Sequence, residues 1–197
     1  MLPYIMDAGA QRRLEAYLNE ISDVLGDPRR RASFATYAMG LWGDGERKSV
    51  EPIAARACAD PHRTDAEHQR LLHFLSNSAW SDHKVRRVAT RHGIDALVAR
   101  EPIVGWVIDD TGFLKQGTHS VGVQRQYTGS AGKIANCQIG VSLSVITPTE
   151  HLPIDFDLYL PHCWADDPER RREARIPDDV QFHTKPDMAI AQMRRAA

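Results

Sequence analysis

The sequence predicts a mixed α/β fold, a helical first half followed by a strand-rich second half, and three observations predict it. From about Asp7 to Arg100 apolar residues recur at three and four positions, the period of helices that bury one face. After Arg100 the period falls to two, so a boundary is expected near Glu101, between a helical domain over 1–100 and a second domain over 101–197. The third observation is the run Ile103 to Lys115, Ile-Val-Gly-Trp-Val-Ile-Asp-Asp-Thr-Gly-Phe-Leu-Lys. Its apolar start, after Pro102, fits a strand covered on both faces of an α/β sheet and ended by a polar turn containing Gly112.

Composition narrows the function classes. With 197 residues and 42% hydrophobic content the chain can build a real core. Net charge is -1, so no global positive field announces nucleic acid, and any such binding must come from local patches. Cys58, Cys137 and Cys163 are odd in number and lack zinc spacing, as expected of reduced thiols in the cytoplasm. The start, Met1 to Asp7, is too short and too soon acidic for a signal peptide, and no apolar run approaches the roughly 18 residues that span a membrane. A cytoplasmic chain without a membrane partner is expected.

The helices follow in order. Leu14, Tyr17, Leu18, Ile21 and Leu25 mark the first, which Gly26-Asp27-Pro28 stops. The second runs from near Pro28 to Leu41, and its Arg29, Arg30 and Arg31 read as a solvated face. After Gly43-Asp44-Gly45 an Ala-rich helix continues through Ala59. Thr64 and Glu67 suggest a capping box for the helix carrying Leu71, Leu72, Phe74 and Leu75, and Ser81 or Asp82 caps a last one from Lys84 to His92. That helix holds the basic residues Lys84, Arg86, Arg87 and Arg91, behind Trp80, which is assigned to core packing. The histidines at 62, 68, 73, 83 and 92 show no ligand spacing.

In the second half Ser120 to Tyr127 reads as a strand, Thr128 to Lys133 as a turn, and Ile134 to Ile146 as a long strand with alternating apolar and small or polar residues, a half-buried antiparallel hairpin. Gly129 to Lys133 fails the Walker pattern, which excludes a phosphate loop. Leu152 to Leu160 is a further extended segment whose Asp155 and Asp157 share one face, read as a solvent-facing edge. Ala165 to Arg175 reads as a charged helix, and Thr184-Lys185-Pro186 opens an amphipathic one.

Asp109 and Asp110 are the candidate reactive groups. As neighbours in a strand they point to opposite faces, so one of them serves a given site, and parity alone does not choose.

The segments Asp109 to Gly117, Ser120 to Tyr127, Gly132-Lys133 and Ala135 to Gln138 resemble a bacterial insertion-sequence transposase of the DDE superfamily endonucleases. Arg47 to Pro52, Leu158 to Pro161 with Trp164, and Phe182 to Pro186 resemble further blocks in the same order. The resemblance implies a helical DNA-binding region before a ribonuclease-H-like catalytic domain, incomplete here, that cuts and joins DNA. It implies that Asp110, before Thr111, is the first catalytic and metal-binding aspartate, with Asp109 as alternative. It also implies Mg2+ or Mn2+ held by three carboxylates, and DNA at transposon ends as partner. Lys115, Arg125, Lys133, Asn136 and Gln138 are candidate contacts to the DNA backbone. The family's second aspartate and its glutamate fall beyond Ala197, so the chain alone is expected to be inactive and not to hold metal stably. The alternatives are a non-catalytic product that occupies transposon ends or pairs with itself or full-length enzyme, and a small nuclease using Asp110 with Asp155 or Asp157.

Overall fold

A computed structural model describes residues 7–197, so the reading of the first residues as lacking a signal peptide lies largely outside it. The chain divides into two compact units, Met1–His92 and Gly93–Ala197.

The first unit is helical, built from α1 (Ala8–Leu25), α2 (Pro28–Trp42), α3 (Val50–Ala57), α4 (Thr64–Ser76) and the first part of α5 (Asp82–Val98). Asp27 caps α2, accepting from the Arg29 and Arg30 amides at 2.8 and 3.3 Å. Ile21, Leu25 and Phe74 form one buried cluster, and Ile53, Ala54 and Leu71 another. Trp80 packs on the first: its ring stacks on Phe74 at 5.3 Å and its indole N–H donates to the Phe74 carbonyl at 2.9 Å. The Thr64–Glu67 capping box does not form. A 3-10 turn, Pro61–Arg63, precedes α4, no side chain caps it, and Glu67 instead binds Arg70. Asp60 has taken the capping role one turn earlier, accepting from the His62 amide at 3.0 Å. Helix α5 runs past His92 to Val98, and its Ile94 and Leu97 pack into the second unit's core.

The second unit is an antiparallel sheet of β1 (Gly105–Leu114), β2 (Gln124–Thr128), β3 (Lys133–Ile146) and β4 (His151–Leu158). The long β3 pairs along one side with β1. Along its other side it pairs first with β2 and then with β4. Its alternation places Cys137, Ile139, Val141, Leu143 and Val145 on one buried face. Over that face lies α8 (Lys185–Ala196), capped by Thr184 and burying Met188, Ala189 and Gln192. Between β4 and α8 the predicted charged helix is two short ones, α6 (His162–Ala165) and α7 (Pro168–Glu173), because Asp167 and Pro168 restart the chain as a new cap. Trp164 is buried with Val123 and Leu160 and donates to the Val123 carbonyl at 2.8 Å, holding the segment before β2 out of strand geometry.

Two expectations about β1 are corrected. The strand does not end at the aspartates; it continues to Leu114, so Gly112 lies within it. Nor is it covered on both faces: only Gly112 is buried, while Val107 and Phe113 are 43% and 52% exposed. An apolar run reports what a strand is suited to bury, and among the described residues β1 is paired on one side only, by β3. Gly112 is there because a Cβ would come within 1.8 Å of the Thr128 hydroxyl, and its carbonyl accepts from Ser130 at 2.7 Å.

Among the described residues no helix is long and apolar enough to cross a membrane. Cys58, Cys137 and Cys163 are free thiols.

Candidate functional site

Strand register decides which site residues share a face. Asp110 pairs with Val141 and therefore rises from the face that α8 covers; Asp109 pairs with Ser142 and rises from the other. Val141 also pairs, across its opposite side, with Asp157. Asp110 and Asp157 thus flank Val141 on one face of the sheet, one strand away on either side.

Helix α8 crosses these strands and answers each acid with a base or an amide. Lys185, its first residue, donates to Asp110 Oδ2, and the ammonium lies 5.6 Å from the centre of the Tyr159 ring. Gln192 is fully buried and donates to the Val141 carbonyl at 2.9 Å and to Asp157 Oδ2 at 3.2 Å, while its own Oε1 finds no partner among the described residues. Arg195 donates to Asp155 at 2.8 Å and to Asp157. Burial alone lowers the Arg195 pKa, but hydrogen bonds and charge from Asp157 and Asp155 outweigh it, so the net shift is upward. The expected solvent-facing edge is therefore wrong for Asp155 and Asp157. Their side chains are 13% and 28% exposed and turned to α8. The missed signal was Arg195, whose spacing from Met188 and Gln192 puts it on the buried side of its helix.

The other candidates do not gather at Asp110. Lys115 continues the β1–β3 ladder, its amide bonded to the Asn136 carbonyl at 2.9 Å, and Asn136 pairs with Arg125. Gln138 pairs with Phe113. Lys115, Asn136, Arg125 and Gln138 thus share the face of Asp109, opposite Asp110, and only Lys133 belongs by parity to the face of Asp110. The amides of Asn136 and Gln138 are also engaged: Asn136 donates to the Lys115 and Gly117 carbonyls at 2.9 and 2.8 Å, and Gln138 to Val121 at 2.5 Å. They hold the segment that follows β1.

The donor set does not fit a pair of divalent ions. Asp110 is met by an ammonium, Asp155 and Asp157 by a guanidinium, and among the described residues no group of three or more His, Cys, Asp or Glu side chains could hold a metal.

Residues 20–197 match the family described as DDE superfamily endonuclease, and the chain belongs to that family. It is similar to a protein of Microchaete diplosiphon named as a probable transposase for insertion sequence element IS701, 27% identical over 182 residues, which are 92% of this chain and 43% of that relative. The chain therefore spans less than half the length of the relative it matches. No solved structure matches it.

Proposed function

We propose that this chain is the DNA-holding, amino-terminal portion of an insertion-sequence transposase, with Asp110 as its first catalytic carboxylate and Asp109 as the alternative. The observation that carries the reading is Asp110 itself: a half-exposed acid at mid-strand, on the α8-covered face of a sheet belonging to a DDE endonuclease family. This chain by itself is read as inactive in phosphodiester cleavage and strand transfer, because Asp155 and Asp157, the acids nearest Asp110 in register, are both engaged by Arg195. This chain's own part is to grip the DNA backbone. Lys115 and Arg125 on one sheet face and Lys133 on the other are its donors in the second unit, with Asn136 and Gln138 fixing the segment that follows Lys115. In the first unit a cleft of about 650 Å³ lined by Asp27, Arg29, Arg30, Arg70 and His73 offers a further surface, with Arg29 and Arg30 as its donors since Arg70 is paired with Glu67.

The second reading, a non-catalytic product that occupies transposon ends or pairs with full-length enzyme, is favoured by the same Lys185–Asp110 contact, since an acid held by an ammonium is a poor metal ligand. The first reading requires DNA binding, and so does occupation of transposon ends in the second. Gel shift of a labelled duplex carrying the flanking genomic repeats, at two salt concentrations, tests this: affinity that falls steeply with salt is expected, and no binding at either concentration overturns the first reading and leaves of the second only pairing with full-length enzyme.

A further inference from the structure

Among the described residues Lys185 is the one cation paired with Asp110, yet ordinary structural reasons do not account for it. Helix α8 is docked by its buried Met188, Ala189 and Gln192, and an ion pair whose partners are 34% and 45% exposed contributes little to docking. The first turn of a helix is also the wrong end for a cation, because the helix dipole is positive there. The ammonium is nonetheless held in place. The Phe182 ring, just upstream, stacks on His162 at 3.7 Å and meets the edge of Tyr159 at 6.2 Å, fixing the chain that leads into Lys185.

We infer that Lys185 is a DNA-phosphate contact held in reserve by Asp110. In the free chain the carboxylate binds the ammonium. When a phosphate of the DNA backbone approaches, the ammonium turns from Asp110 to the phosphate, and the acid is released at the moment that substrate is in place. The exchange is between two anions for one cation and needs no bond to break. This rests on the reading of the chain as a DNA-binding transposase portion, and it makes Lys185 a positioning residue for that site.

The test is the salt dependence of binding to the labelled repeat duplex. Asp110→Asn frees the ammonium, and should tighten binding and steepen the slope of log affinity against log salt by about one. Adding Lys185→Met should remove that gain, whereas Lys185→Arg should keep it. An equal change of charge at Asp178 should leave the slope alone. Amine acetylation read by mass spectrometry gives a second measure without substituting the lysine. Lys185 should react faster in Asp110→Asn than in the unaltered chain, and should be protected by duplex in both. If the unaltered chain binds with a clear salt slope but Asp110→Asn matches it, or if the gain survives Lys185→Met, the assignment of Lys185 is overturned while the proposed function stands. If nothing binds, both fall.

Discussion

Asp110 and Asp157 pair with the same residue, Val141, from opposite sides, so two acids stand level on the sheet face against which α8 packs. Helix α8 is correspondingly two-ended: Lys185 meets the β1 acid and Arg195 the β4 acids. The two contacts differ in kind, since the β4 acids are the more buried and their guanidinium makes hydrogen bonds to both.

Removing Arg195 takes from the inward-turned Asp155 and Asp157 the guanidinium that donates to both. For full burial the cost of such a loss is about 3–5 kcal/mol, and partial exposure here reduces it to about 2 kcal/mol. Arg195→Met should lower the urea midpoint accordingly. Asp155→Asn and Asp157→Asn added to it should recover most of the loss, because the negative charge that Arg195 offset goes with them.

The Gly112 position has no room for a side chain. Gly112→Ala should cost about 1–3 kcal/mol through its clash with Thr128, and Thr128→Ala should restore part of that by deleting the hydroxyl it meets. Thermal melts of the two single variants and the double variant give the comparison, with a double no better than Gly112→Ala counting against the close approach.

Much of the fold was legible because the chain's period carries it. The change from helical to alternating spacing, the β3 alternation and the Thr184 cap all read directly from residue order. Pairing was less legible. Nothing local says that β3 is flanked by β2 and β4 on one side and β1 on the other, and without that register Asp110 could not be separated from Lys115, Arg125, Asn136 and Gln138 on the opposite face. The inward turn of Asp155 and Asp157 was hidden for the same reason, since their partner lies on a helix that packs from a distance in sequence.

Acid should weaken the fold through two carboxylates. Asp27 is held below its ordinary pKa by the backbone amides of Arg30 and Arg29, and Glu101 below its own by the hydroxyls of Thr147 and Thr149. Each is depressed in the folded state, so the stability it contributes is fully present above the unfolded value, about 4, and is lost as pH falls through the lower folded value. Urea midpoints between neutral pH and about pH 3 should fall, and should fall less steeply in Asp27→Asn and Glu101→Gln.

The open side of β1 should promote self-association. Trp106, Val107, Ile108, Phe113 and Leu114 are all exposed beside a strand edge unpaired among the described residues. Sedimentation should show mass rising with concentration. Val107→Lys should suppress it while changing stability by no more than about 0.5 kcal/mol, as for other exposed positions. A monodisperse monomer at all concentrations would contradict this.

Whether this chain holds DNA without cutting it is measured most directly by Mg2+- or Mn2+-dependent cleavage of the labelled repeat duplex by the purified chain, under conditions where gel shift shows it bound. Bound, intact duplex is expected with both ions. Metal-dependent nicking that disappears in Asp110→Ala and in Asp157→Ala alike would show that this chain assembles an active site of its own, and would contradict that expectation.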